Sequence, residues 1–403
     1  MKIRTFLFLA FLYSSTLLCQ ITIRGKVFLK NNEALQGASV YLNNTSIGTI
    51  TNNKGEFELK VKNGYYDLII SFLGFEKRLV KIKNESQENL KIQLTPSNNV
   101  LDEVIVKKTV YDDEWKYNLS RFKRAFFGKT NFAKECIIIN EKDIFFNFNT
   151  KTNTLSAYSK KPIRIKNKAL GYLITYELID FSITSDQLVF SGYSQFKNLK
   201  KKLKKKWLAN RATAFHGSRM HFFRSLLNKT LKQEGFVVNQ FKRIKNPERP
   251  SQEKIKQARE LLKLAGRIDI SKKITTPKTA IDSAIVTLQK MRLPKFRDYL
   301  YKRNVPYSEM VTIKDNEVKL DFENFLSITY LKEAEEPAYL VGMFGKTKKS
   351  SGVQSSSIVL LDGNVTMFPS GVVDNPTSVF NEGYWGFEAF AHTLPLDYTP
   401  PSN

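Results

Sequence analysis

Few residues in this sequence are of types and spacings that could do chemistry. Glu388 and Asp397 are a carboxylate pair near the C-terminus, the residue types that acid–base work on a glycosidic bond requires. Tyr384, Trp385 and Tyr398 accompany them. Their rings offer faces on which a sugar can stack, and the same rings can close a core. His216 and His221 stand five residues apart, whereas two metal ligands on one helix face stand about three or four apart. No carboxylate nearby completes a metal set, and the third histidine, His392, is remote in sequence. Ser218 follows Gly217 but lacks the Gly-x-Ser-x-Gly turn that exposes a nucleophile. There is no glycine-rich phosphate loop. Asn52 and Glu56 bring too few carboxylates for calcium. The sequence assigns no catalytic residue, no metal and no cofactor, and the balance is against an enzyme.

Positive charge is the densest chemical feature. The chain carries a formal charge of +26, and Lys200, Lys201, Lys202, Lys204, Lys205 and Lys206 concentrate it. Two readings are open. The lysines meet an anionic surface, such as lipopolysaccharide phosphates, an acidic glycan or an acidic envelope protein, or they only keep the surface soluble. Leu203 alone interrupts the run, so no apolar stripe is available for a buried helix. A solvated connection leading into a helix at Trp207 is expected.

The N-terminus reads as a processing signal. Lys2 and Arg4 precede an apolar run, Thr5 to Leu18, too short for a spanning helix. Cleavage after Cys19 leaves Gln20 first. Lipidation of Cys19 is the rival, although Leu18 is not the small residue that needs. No later apolar run reaches the roughly 18 residues of a membrane span. The chain is expected in the periplasm, at the outer membrane or on the cell surface, which removes nucleic acid as a partner. Without Cys19, Cys136 is the only cysteine. It lies in an apolar run and reads as a buried, inert thiol.

The elements follow from periodicity. Between residues 20 and 96, short alternating runs such as Ala38–Val40–Leu42, Phe57–Leu59–Val61 and Leu68–Ile70–Phe72 are separated by Asn- and Gly-rich turns. This is the pattern of a β-sandwich. Residues 97–111 read as a linker or last strand. Residues 112–403 read as a larger strand-rich α+β domain, with a helical basic segment over about 197–305 set between two groups of strands. Trp115, Leu119, Phe122 and Phe126 predict a helix ended by Gly128. Residues 136–165 predict a meander. Ser218 is the expected N-cap of a helix ended by Gly235, and a further helix is expected over 251–265. Tyr339–Leu340–Val341 reads as a strand and Asp362–Gly363–Asn364 as a hairpin turn.

Several segments carry a family resemblance. Gly25–Lys26–Val27, Leu35–Gln36–Gly37–Ala38–Ser39–Val40, Gly48–Thr49–Ile50–Thr51–Asn52, Lys54–Gly55–Glu56–Phe57 and Ser71–Phe72–Leu73–Gly74–Phe75 resemble the carboxypeptidase regulatory-like domain of Bacteroidota envelope proteins. The resemblance implies a seven-stranded, transthyretin-like sandwich and no peptidase. Ala169–Leu170–Gly171–Tyr172, the segment from Arg211 to Ser218 and the tail from Gly383 to Tyr398 resemble uncharacterised Bacteroidota proteins that carry this front domain.

Leu101–Asp102–Glu103–Val104–Ile105–Val106 resembles the junction before the plug of TonB-dependent outer-membrane receptors. Such a receptor needs a barrel of some 22 strands, each about 9 to 11 residues long, which the rest of this chain is too short to supply. Residues 101–106 remain a candidate partner strand. Three functions are therefore carried forward: non-catalytic binding or scaffolding in the envelope; carbohydrate binding or carbohydrate-active chemistry; and an accessory role beside a TonB-dependent transporter.

Overall fold

The structure, a computed structural model, describes residues 20–97, 111–184, 187–266, 269, 271, 274–315, 317–341 and 347–401. The leader and the 101–106 segment lie outside the described residues. The fold is mainly β with added helices.

Seven strands form the first unit: β1 (Gln20–Phe28), β2 (Ser39–Leu42), β3 (Gly48–Ile50), β4 (Glu56–Lys62), β5 (Tyr66–Ser71), β6 (Arg78–Ile82) and β7 (Gln87–Gln93). They make two sheets, β4–β1–β7 and β3–β2–β5–β6, packed as a sandwich. Alternation decides the register. Ile23, Val27, Val40, Leu42, Leu68 and Ile70 are fully buried, while their neighbours along β1 and β4 face outward. Each such side chain contributes about 1.5–3 kcal/mol on leaving water.

Helix α1 (Asp113–Phe127) opens the remainder of the chain. Asp112 caps it by accepting from Trp115 N, and Asp113 and Glu114 lie at the positive end of the helix dipole. Leu119, Phe122 and Phe126 pack onto the sheet of β8 (Cys136–Ile138), β9 (Ile144–Asn149), β10 (Thr154–Ser159), β11 (Ile163–Asn167), β12 (Tyr172–Ile183) and β13 (Leu188–Asn198). The order β8–β11–β12–β10–β9, with β13 on the other edge of β12, corrects the meander reading. Only β9 and β10 are a simple hairpin there, because the long β12 pairs with both β10 and β11.

Helix α2 (Lys205–Phe215) and helix α3 (Arg219–Leu227) follow. Lys205 and Lys206 form the first turn of α2, so the solvated connection covers only residues 199–204. Ser218 caps α3 as expected, but α3 ends at Leu227. Lys229 turns left-handed, and Gly235 closes a separate turn at Leu231–Glu234.

The segment expected to be helical also contains strands. β14 (Phe236–Lys245) and β15 (Phe296–Lys302) flank helices α4 (Gln252–Leu264) and α5 (Ala280–Lys290). In β14, Phe236, Val238 and Gln240 alternate inward, a period-2 signal hidden by the surrounding lysines. The two helices form a hairpin with its own small core of Ala258, Leu262, Ala284 and Ile285.

The last strands are β16 (Val311–Lys314), β17 (Glu317–Leu320), β18 (Phe325–Tyr330), β19 (Gln354–Leu360), β20 (Val365–Phe368), β21 (Val372–Val373) and β22 (Val379–Gly383). They form the sheets β15–β14–β18–β19–β22 and β16–β17–β20–β21. Asp362–Gly363–Asn364 is therefore a corner between sheets and not a hairpin, since β19 pairs with β18 and β22 while β20 pairs with β17. Pro337–Leu340 is a helical turn rather than a strand, with Pro337 preset for its first position. Helix α6 (Tyr384–Glu388) and the 3₁₀ turn Ala389–His392 end the fold.

Candidate functional site

The sandwich is bolted to the second sheet. Tyr41 Oη donates 2.9 Å to Glu177 Oε1, and Lys77 forms an ion pair with the same carboxylate. Asn44 N donates to Ser194 O at 2.7 Å and Ser194 N to Asn43 Oδ1 at 3.0 Å, so the β2–β3 loop lines up along the edge of β13. A Cβ on Gly48 would lie 2.8 Å from Tyr41 Cβ and 2.3 Å from Gln195 Nε2, so the close approach favours glycine. Ser46 N donates to Asp397 Oδ1 at 2.7 Å. The expected pair of Glu388 and Asp397 is thus not a pair. Asp397 holds the sandwich, and Glu388 is buried elsewhere.

The lysine surface is partly as expected. Lys200, Lys201, Lys202, Lys204, Lys205 and Lys206 are all exposed. Lys206 pairs with Glu135 at 2.9 Å and Lys204 lies 5.3 Å from the Trp207 ring centroid. Among the described residues, the other four have no ion pair. Trp207 anchors the run: it is buried, and its Nε1 donates 2.9 Å to Lys168 O.

The aromatic platform is not a platform. Tyr384 and Trp385 are 2% and 8% exposed. Trp385 Nε1 donates 2.8 Å to Gly217 O, its N donates 3.0 Å to Ser356 Oγ, and its ring meets Phe222. Tyr398 is half-buried, and its carbonyl accepts from Arg224 at 2.9 Å. Stacking by Tyr384 and Trp385 is corrected by this burial. Of the two histidines, His221 is equally committed to structure. His221 Nδ1 accepts from Gly217 N at 3.1 Å and its Nε2 lies 3.2 Å from Glu234. Burial lowers its pKa to about 4. The Cys136 thiol is half-buried and pushed up to about 12, first by burial and then by Glu135.

Sequence reasoning missed a cavity of about 220 Å³ between the β18–β19 connection and the C-terminal tail. Two arms position it. Glu333 and Glu336 come from the first arm, where Gln354 Nε2 donates 3.2 Å to Glu333 Oε2. Glu336 N donates to Tyr384 Oη at 3.2 Å and Glu336 Oε2 accepts from Asn131 N at 3.1 Å. Glu388 and His392 come from the second arm, with Glu388 Oε1 3.4 Å from His392 Nδ1. Between them Ala389 takes a φ of 46°, a left-handed value that turns the tail sharply. Gly128 makes room for this: a Cβ there would lie 2.5 Å from Phe387 O. The His392 ring stacks on Phe132 at 4.5 Å. Neither His392 ring nitrogen nor Gln354 Oε1 has a hydrogen-bond partner, and both side chains are more than nine-tenths buried.

The electrostatics are one-sided. Burial raises the Glu388 carboxyl well above its ordinary value, and Glu333 and Glu336 raise it further. Burial raises Glu333 to about 7 against the opposing pull of Gln354, and lowers His392 to about 4. No lysine or arginine lines the cavity among the described residues. The signal in sequence was a helical spacing, Glu388 to His392, with a glutamate cluster at 333–336; neither shows proximity until the tail is folded. A larger hollow of about 410 Å³ on α1 sets only Glu114 beside Arg121.

Residues 23–106 match the model of the CarboxypepD_reg-like domain, so the chain carries that domain. An 87-residue stretch is 32% identical to the TonB-dependent receptor SusC of Bacteroides thetaiotaomicron, covering 22% of this chain and 8% of the receptor. A DUF3823 family protein of Bacteroides ovatus shares 12% identity at a TM-score of 0.17, over 45% of this chain and 82% of that one. One from Parabacteroides merdae shares 11% at 0.17, over the same 45% and 82%.

Proposed function

We propose that this chain is an exported, non-catalytic envelope protein that binds or scaffolds at an anionic surface through residues 200–206. The observation that carries the reading is the exposed lysine run. Five of its six lysines lack an ion pair among the described residues, and a buried Trp207 holds the run in place. Lysines concentrated this way draw phosphate-bearing surfaces with a strength that falls as salt rises. The matched front domain supports an envelope setting. The docking of the sandwich on the second sheet and the tail supports a scaffold.

Flotation with vesicles tests it. The full chain without its leader should float with phosphatidylglycerol vesicles or lipopolysaccharide at low salt and be released at high salt. Replacing Lys200, Lys201, Lys202, Lys204 and Lys205 by Gln should abolish flotation. Unchanged flotation of that variant, or equal flotation with neutral vesicles, overturns the reading.

A second reading, an accessory role beside a TonB-dependent transporter, is favoured by the similarity to a receptor of that name. Deleting Leu101 to Val106 should then abolish co-purification of a transporter from envelope extracts. The carbohydrate reading loses its stacking support, because Tyr384 and Trp385 are buried.

A further inference from the structure

A chain with a net charge of +26 holds three glutamates around one small cavity that no cation lines among the described residues. Buried carboxyls are normally paired, because an isolated buried charge costs far more than any one contact returns. Here the charges acting on Glu388 come from Glu333 and Glu336, both negative. The remaining polar groups add acceptors. Gln354 Oε1 is buried without a partner, and His392, held neutral, keeps a ring nitrogen free to accept. Tyr384 supplies a ring at the wall, and Phe132 backs the His392 ring from behind. No group of three or more His, Cys, Asp or Glu among the described residues is placed to hold a metal ion.

An acceptor-rich site without a cation among the described residues calls for a ligand that brings N–H donors and positive charge. We propose that the cavity between Glu333, Gln354, Glu388 and His392 binds a small organic cation through its primary ammonium group. An ammonium offers three donors and no acceptor, which matches the inventory of the walls. Its charge supplies what the protein withholds. Entry of the cation favours the ionised form of Glu388, which burial disfavours, so binding draws a proton off that carboxyl. The groups facing Glu388 are Glu333 and Glu336 from the β18–β19 connection, and His392 and Tyr384 from the tail. All act on the apo protein as acids or as a neutral base, so affinity rises with pH until the ammonium itself loses its proton.

This site is separate from the lysine surface, and the two proposals fail independently. Calorimetry on the full chain without its leader uses paired probes of nearly equal shape: glucosamine against glucose, and ethanolamine against ethylene glycol. Phosphate and PIPES serve as buffers, because Tris is itself a primary ammonium. The expected result is binding of the two amines and not of their neutral partners. Buffer-dependent heats should report proton release. Glu388→Gln should weaken amine binding at least tenfold and remove most of the released proton, while the five-lysine variant binds as wild type. Equal binding of glucose and glucosamine would make the cavity a neutral sugar site and overturn the proposal. Absence of amine binding, or amine binding with no proton release, overturns it without any variant.

Discussion

Tyr41 of β2 donates a 2.9 Å hydrogen bond to Glu177 of β12, and both residues are buried where the sandwich meets the second sheet. The acceptor is charged and Lys77 holds its other oxygen, so the bond belongs to the stronger class. Tyr41→Phe should cost about 1.5–3 kcal/mol in chemical denaturation. The Lys77→Met cycle should show coupling between the two donors. An additive cycle would mean that Glu177 does not join them.

Gly128 ends α1 with a φ of 83° and lies under the C-terminal tail. An added methyl meets Phe387 O at 2.5 Å, besides the cost of a left-handed L-residue, about 1–2 kcal/mol. Gly128→Ala should therefore lower the unfolding midpoint and disturb the cavity. Amine binding and thermal unfolding would both read this. A variant as stable as wild type would place the tail farther from α1.

Trp385→Ala tests the corrected role of the aromatic tail. Trp385 closes a core with Phe222 and donates to Gly217 O, so truncation should cost about 3–5 kcal/mol. Selective loss of saccharide binding at unchanged stability would restore a stacking role.

The buried acids and histidines pull stability in opposite directions with pH. Glu333 rises to about 7 in the folded chain from 4.5, so its contribution falls as pH rises across that window. Glu388, raised by burial, behaves alike. His392, lowered to about 4 from 6.5, costs stability as pH falls between those values. Glu388→Gln should match wild type near pH 4 and become steadily the more stable protein as pH rises above 4.5. Urea midpoints for both proteins over that range give the difference. A constant difference would mean that the Glu388 carboxyl keeps its ordinary acidity in the folded chain.

The sandwich was legible because each strand buries one face, so alternation survives in sequence. β14 was not, since its polar face is crowded with lysine and arginine and its inward residues include Gln240. Pairing order was also hidden. Nothing local tells that β12 receives both β10 and β11, or that residues 362–364 turn between sheets. The cavity was invisible for the same reason: Glu333 and Glu388 are distant in sequence, and the sharp turn at Ala389 that faces them is a backbone event. Sequence did single out three segments that turn out to touch. Arg211 Nε donates to Leu170 O at 2.8 Å, and Trp385 Nε1 reaches Gly217 O.

The loop carrying Asn43, Asn44 and Ser46 reaches both β13 and the C-terminal tail, through Ser194, Leu396 and Asp397. The front domain and the C-terminal tail are thereby clasped by contacts that lie outside the stretch joining β7 to α1. A protease that cut that stretch would leave a nicked protein migrating as one particle until denatured. Exchanging the front domain for that of another protein would remove these contacts, even though its sequence pattern matches a family model. Two separately expressed halves should find each other and reassemble.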